Sequence, residues 1–487
     1  MRKLLKVSSL KYIAAFLIPL IFTMFAVQAI DNDSWGVLAQ GRYIFENGVY
    51  YTDVLSMHEG LNVVVQNYAF SVIFYLIYTA FGAVGLYVGL LILEFFVCFL
   101  IYKICMLLSD KNTNLSLGIM IVTSLLLTLA GFITTRAQMF SYIIFLGAIY
   151  VLELYTKTGK SKYLWWIPVF SLILINFHAS IWLMIFLLLL VYIVDSIKVP
   201  KLHLQGYRTR PLLVVGLISF LIGFLNPYGV NMMTLMFSAY GDPTFMNLVI
   251  ELQPFSLRTT SNVIIYGVIV VTLILCIFGK EKNIRMRFLL MFFGFLALGL
   301  NSVKGLSQFV LVMFFPLVLV YKNMKIEKVI EAKIARKIII FWCGILTICI
   351  FVVSSVYLIP KINDTSEDGT LAEAIDKIDE INKQKGVSGG NVYVGYNDGG
   401  YVEFRGYKAY MDPRGGDFMK KINKKEDILQ EYVDLKDGKI DLDDFLEKYD
   451  FDYILAHKYY GKIYEINRED YKLIYENDDV RVFEFIK

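Results

Sequence analysis

The sequence predicts an α-helical polytopic membrane protein of about eleven transmembrane helices, followed by a small C-terminal α/β domain outside the membrane. Three observations carry this. The 487 residues are 57% hydrophobic and 18% charged, with a mean hydropathy of +0.57, too apolar for a water-soluble chain of this length. Apolar runs of spanning length recur from residue 10 to residue 359 and then stop. The charge divides at the same place: residues 361–487 hold 20 Lys+Arg against 29 Asp+Glu, leaving 27 against 14 for the rest. Basic loops kept in the cytoplasm and an acidic exported tail account for that split, and nucleic acid is not implied.

The N-terminus, "MRKLLKVSSLKYIAAFLIPLIFTMFAVQA", has a basic start, an apolar core and small residues at its end. Signal-peptide cleavage after Ala29 fits this pattern, but the long apolar stretch and the spans that follow favour an uncleaved first span. Spans are expected near 11–30, 84–108, 115–134, 138–155, 163–177, 179–196, 211–226, 262–279, 287–300, 305–321 and 337–359. With this set, "SDKNTN", "KTGKSK", "KVPKLHLQGYRTR", "GKEKNIRMR" and "YKNMKIEKVIEAKIARK" fall on the same side as the N-terminus. The N-terminus is therefore expected inside and the C-terminal domain outside. A further span at 66–81, "QNYAFSVIFYLIYTAF", would break this pattern. It reads instead as an aromatic-rich helix at the outer interface. The domains are thus a membrane domain, 1–359, with its first external loop at 31–83, and a soluble domain, 360–487.

That orientation places the conspicuous polar residues on the outer face. Asp31, Asp33, Trp35, Arg42, Asp53 and His58 lie in the first external loop. Arg136 and Gln138 follow in "TTRAQMFSY", Asn176 and His178 in "INFHASIW", Asn226 and Tyr228 in "LNPYGV", Glu251 in "VIELQPF", and Lys304 in "NSVKGL". Ionisable groups at the hydrocarbon edge are costly unless paired or wetted, so their collection on one face suggests a shared polar cavity.

Each has a plain reading beside the functional one. Asp33 or Ser34 would cap an amphipathic helix carrying Trp35, Leu38 and Ile44, and spacing alone favours capping. Functionally, one carboxylate of the Asp31 and Asp33 pair would deprotonate an incoming hydroxyl, while the other orients the acceptor or holds a divalent cation. Arg136 and Lys304 either anchor at headgroup level or bind a lipid phosphate. His178 has no second histidine on its helix face and no cysteine nearby, which argues against zinc. Glu251 is either surface or a hydroxyl-holding cavity group. Glu94, mid-span, reads as protonated or paired.

In the tail, "TLAEAIDKIDEINKQKG" predicts a helix ending at Gly386 and "NVYVGYNDGGYVEFRGYKAYMDPRGG" short strands broken by turns. "FDYILAH" predicts a buried strand and "YKLIYENDDVRVFEFI" a closing hairpin. Asn397, Asp398, Asp412 and Arg414 are turn residues first and acceptor-binding candidates second. All five cysteines, Cys98, Cys105, Cys276, Cys343 and Cys349, lie in or at the ends of apolar runs, so no disulfide framework is expected in the tail.

"DNDSWGVLAQGRYIFENGVYYTDVLS", "RAQMFSYIIF", "WWIPVFSLILINFHASIWL", "NPYGVNMM" and "VIELQPF", in this order, resemble bacterial polytopic proteins of the C-type (GT-C) glycosyltransferase superfamily. "YNDGGYVEFRGYKAYMDPRGG" resembles the exported domain that ends many of them, so the resemblance covers nearly the whole chain. It implies a polyprenyl-phosphate sugar as donor, a catalytic aspartate in the first external loop, and an inverting transfer. By position Asp31 and Asp33 fill the catalytic place, with Trp35 kept and Gly36 and Val37 standing where a second aromatic and a histidine are expected. Arg136 matches the arginine after the third span, and Asn176 and His178 match an Asn-x-His. Lys304 stands where an arginine is expected.

The resemblance thus implies transfer to an envelope glycan, lipid or protein at the outer face of the cell membrane. Asp33 or Asp31 would serve as base, Arg136 and Lys304 would hold the donor phosphate, and Trp35, Gln138, Asn176, His178, Asn226, Tyr228 and Glu251 would shape the cavity or bind the acceptor. A divalent cation on Asp31 and Asp33 is the one cofactor considered. The alternative is a non-catalytic scaffold or a transporter of envelope polymer, against which the absence of an evident internal repeat counts.

Overall fold

The computed structural model describes residues 7–27, 30–197, 207–239, 241–279, 284–323, 369–458, 463–464 and 466–486. The chain is mostly helical with a small C-terminal sheet, and it divides into two compact units. One comprises Met1–Gln28, Tyr87–Leu225 and Val249–Pro360; the other comprises Ala29–Leu86, Asn226–Leu248 and Lys361–Lys487. The first external loop therefore belongs to the same unit as the C-terminal region.

Among the described residues, five helices are long and apolar enough to cross a membrane: Tyr68–Leu108, Gln138–Thr158, Ala179–Ser196, Thr260–Phe278 and Val303–Val320. The run expected near 11–30 forms the helix Val7–Ala26, 20 residues. Those near 115–134, 163–177, 211–226 and 287–300 form apolar helices of 10–17 residues, which at 1.5 Å per residue reach about 26 Å at most, short of the roughly 30 Å hydrocarbon layer. The span expected at 337–359 lies outside the described residues, as do parts of the basic loops at 198–206, 280–283 and 324–336. The expected division between 66–81 and 84–108 falls at Gly82, which has φ 62° and ψ −160° within the Tyr68–Leu108 helix. A Cβ disfavours that left-handed backbone, so glycine suits the break.

Polar side chains tie the apolar helices of the first unit together. Ser124 Oγ donates to Glu94 Oε1 at 2.9 Å, and the Thr23 and Thr128 hydroxyls meet at 3.1 Å. Glu94 is thus paired within the bundle, as expected. A stronger tie joins three helices: Arg287, 1% exposed, donates to both oxygens of Glu153 at 2.6 and 2.8 Å and to Asp195 Oδ2 at 3.0 Å. Tyr192 adds a bond to Glu153 and Tyr207 one to Asp195, so the buried charges are well satisfied.

The second unit is built on a five-stranded sheet of β1 (Asn391–Tyr393), β2 (Lys408–Ala409), β3 (Tyr453–His457), β4 (Tyr471–Glu476) and β5 (Val480–Phe485), in the order β2-β1-β3-β5-β4. β1 pairs parallel with β2 and β3, while β5 pairs antiparallel with β3 and β4. The predicted helix forms as Gly369–Lys385, the buried strand as β3 and the closing hairpin as β4 and β5. "GGYVEF" departs from expectation: Gly399–Phe404 is a helix, not a strand. It lies against the Asn32–Asn47 helix, and a Cβ on Gly400 would stand 2.7 Å from the backbone nitrogen of Gly36. Tertiary contact has overridden the local turn signal.

The first external loop docks beside β2. Met57 N donates to Ala409 O at 3.0 Å, His58 Nε2 meets Tyr410 O at 2.8 Å, and Asn62 Nδ2 donates to Asn423 O at 2.7 Å. Leu61 enters the apolar core formed by Tyr393, Tyr410, Phe445, Phe451 and Ile454.

Candidate functional site

The first unit contains a cavity of about 220 Å³, lined by Ala130, Gly131, Phe132, Thr134, Arg136, Gln138, Glu251, Val303 and Lys304. That volume holds roughly seven waters at their liquid density. Four sequence-predicted residues therefore meet in one place. Arg136 is held there because Phe132, Ile133 and Ala137 on either side of it are buried, which fixes the turn between the Thr113–Leu129 and Gln138–Thr158 helices. Lys304 comes with the turn before the Val303–Val312 helix, which Ser302 caps by accepting from Gly305 N. Glu251 is brought to that turn by its own loop: Val303 N donates to Gln253 O at 3.0 Å and Phe255 N to Leu300 O at 3.1 Å.

The cavity is electropositive by construction. Arg136 and Lys304 stand at the starts of the Gln138–Thr158 and Val303–Val312 helices, whose N-terminal dipole ends carry partial positive charge. Arg136 Nη1 pairs with Glu251 Oε1 at 3.1 Å, with the two side chains 27% and 47% exposed. Among the described residues no carboxylate lies within ion-pair distance of Lys304 Nζ. Thr134 is also on the lining, and its Oγ1 is buried with no hydrogen-bond partner among the described residues. Gln138 Nε2 donates to Tyr142 Oη at 2.5 Å and to Ser307 Oγ at 3.3 Å, which fixes its amide at the edge. Two cations and two helix starts suit a phosphate, whose oxygens accept from them.

The other predicted residues are placed as follows. His178 is buried, with Nδ1 2.6 Å from Ser141 Oγ. Asn176 Nδ2 bonds the carbonyls of Leu172 and Leu225, tying two helix ends together. The remaining candidates belong to the second unit. Asp31 caps the Asn32–Asn47 helix, accepting from Ser34 N at 2.9 Å and Ser34 Oγ at 2.6 Å, so the cap is Asp31 rather than Asp33 or Ser34. Asp33 occupies the first turn of that helix, half-buried, where the dipole favours a carboxylate. Trp35 is a core side chain, 3% exposed, with its ring 5.0 Å from those of both Tyr401 and Phe404. Asn226 folds its own turn, accepting from Tyr228 N and donating to Gly229 O, and Tyr228 Oη donates to Tyr50 O at 2.8 Å. Among the described residues no group of three or more His, Cys, Asp or Glu is placed to hold a metal ion.

Sequence reasoning missed two buried charge clusters. The Arg287 tie had a signal: Glu153, Asp195 and Arg287 are ionisable residues within or at the ends of apolar runs. The other cluster lies in the second unit. Arg414, 8% exposed, pairs with Asp53 Oδ1 at 3.0 Å, Glu403 Oε1 at 3.0 Å and the Asp412 carboxylate. Burial alone would raise the Asp53 carboxyl, but Arg414 and bonds from Ser56 and Leu55 hold it below its usual range. Glu403 goes the other way: burial, with the Asp412 and Asp53 charges beside it, raises it well above the carboxylate range despite Arg414. Asp417 is pushed up to about 8, by burial first and then by Asp53 and Asp412, with Arg414 offsetting only part. One guanidinium cannot neutralise four carboxylates, so two of them keep their protons.

No known family model and no curated protein matches this sequence.

Proposed function

We propose that the chain is a membrane glycosyltransferase that takes a sugar from a polyprenyl-phosphate donor and transfers it to a hydroxyl of an envelope glycan, lipid or protein. The observation that carries the reading is the meeting of Arg136, Lys304, Gln138 and Glu251 around one cavity. Arg136 and Lys304 are the residues expected to hold the donor phosphate, and Gln138 and Glu251 are among those expected to shape the cavity or bind the acceptor. In this reading the membrane domain has about eleven spans, the N-terminus is cytoplasmic, and the transfer occurs at the outer face of the cell membrane.

The acceptor oxygen attacks the anomeric carbon as the bond to the donor phosphate breaks. A carboxylate base takes the acceptor proton, and the polyprenyl phosphate departs with the bonding electron pair. Negative charge grows on the phosphate oxygens, so the Arg136 fork and the Lys304 ammonium stabilise the transition state more than the ground state. Asp33 or Asp31 is the candidate for that base.

The test is lipid-linked sugar turnover by membranes bearing Asp33→Asn, Asp31→Asn or Arg136→Ala. Loss of transfer in Asp33→Asn and Arg136→Ala, with each protein present and folded, supports the reading. Full activity with both aspartates replaced removes it.

A further inference from the structure

Arg136 differs from the other two arginines that hold carboxylates in the interior of their units. Arg287 is 1% exposed and grips both Glu153 oxygens, and Arg414 lies among three carboxylates with its side chain almost fully covered. Both are locked, since separating either pair strands a buried charge. The Arg136–Glu251 pair is a different object. Its side chains are 27% and 47% exposed, both line an open cavity, and the contact joins Nη1 to Oε1. Ion pairs so wetted contribute between nothing and about 1 kcal/mol, so this one opens readily.

The charge of the cavity depends on that pair. With Glu251 on Arg136, Lys304 is the remaining uncompensated charge among the described lining residues. Once Glu251 swings away, an anion meets Arg136 and Lys304 together. A phosphate offers Arg136 two oxygens in the fork geometry, where Glu251 offers Oε1. Glu251 sits on the short 3-10 turn Ile250–Leu252, whose Leu252 is buried, so its side chain can leave while the backbone stays.

The geometry points to Glu251 as an exchangeable counter-ion: it occupies the guanidinium of Arg136 in the empty cavity and is displaced by the phosphate of an incoming anionic lipid. This rests on the phosphate-binding reading of the cavity given above. Its consequence is selectivity. Weak anions fail to displace the carboxylate, and a ligand must engage Arg136 and Lys304 at once to do so.

The experiment is titration of the detergent-solubilised full chain with a short-chain isoprenyl monophosphate, comparing the parent with Glu251→Gln, Arg136→Ala and Lys304→Ala. Glu251→Gln should bind about fivefold more tightly, the affinity equivalent of one wetted ion pair, while Arg136→Ala and Lys304→Ala bind more weakly. The same comparison with inorganic phosphate should give a similar relative gain in Glu251→Gln, because either ligand must displace the same carboxylate. Unchanged or weaker binding in Glu251→Gln, with Arg136→Ala still defective, overturns the exchange and leaves the phosphate site standing. Parent-like binding by Arg136→Ala and Lys304→Ala overturns the site itself and the exchange with it. As a second measurement, the Arg136 guanidine should react faster with a dicarbonyl reagent in Glu251→Gln than in the parent. Equal rates, read by mass spectrometry, overturn the exchange independently of ligand affinity.

Discussion

Asp417→Asn tests the buried charge cluster around Arg414 most directly. The folded chain holds the Asp417 carboxyl up at about 8, against 3.8 for the free side chain. Between those two values the native state keeps a proton that the unfolded chain has released. Stability is therefore fully present below about pH 4 and is lost as pH rises towards 8, at about 1.4 kcal/mol per pH unit. Asparagine keeps the shape and never ionises, so the variant should lose that slope. Near pH 4 the two proteins should agree within about 1 kcal/mol, and near pH 8 the variant should be the more stable by several kcal/mol. Asp53, held below its usual range, acts with the opposite sign: its contribution is present above its unfolded value and fades only as pH falls through its depressed folded value, outside this window. Glu403 titrates in both proteins and largely cancels in the comparison. The assay is pulse proteolysis of the detergent-solubilised full chain in urea across this pH range, following cleavage within 369–486. Parallel pH profiles for parent and variant would refute the claim that Asp417 is buried as the neutral acid.

Three further outcomes follow. Arg287→Met should cost about 3–5 kcal/mol, because it leaves Glu153 and Asp195 buried without their cation; a fall in the thermal midpoint in detergent reads it. Gly400→Ala should cost about 1–3 kcal/mol, because the new Cβ would meet Gly36 backbone at 2.7 Å and backbone cannot turn aside as a side chain can; faster proteolysis within the Asn32–Asn47 helix checks it. Asp31→Ala should lower stability by about 1 kcal/mol through loss of the cap, and Asp31→Asn or Asp31→Ser should restore most of it. A pure cap is rescued by these residues, and a catalytic carboxylate is not.

Long apolar runs, periodicity and turn signals made much of the architecture legible in the sequence. The helices at 138–158, 179–196 and 260–278 lie close to where apolar run length puts them, and β4 with β5 follows from alternation across the Asn-Asp-Asp turn. Gly399–Phe404 was not legible, because a Gly-Gly pair reads locally as a turn and the helix depends on contact with a segment more than 350 residues earlier. The same distance hid the Arg414 cluster: Asp53 lies 361 positions from its partner, and no local pattern announces such a pair. The cavity was half legible. Arg136 and Lys304 stood out by charge beside apolar runs, whereas Thr134 has no feature in the sequence that separates it from Thr135 beside it.

The docking of the first external loop beside β2 has a consequence for how such chains can be recombined. Asp53, Leu61 and Asn62 complete the charge cluster, core and edge of the C-terminal region. A chimaera that exchanges only residues 361–487 for those of another protein would deprive Arg414 or its replacement of a counter-charge and open a hole where Leu61 sat. A graft that respects this must carry residues 48–67 along with the tail.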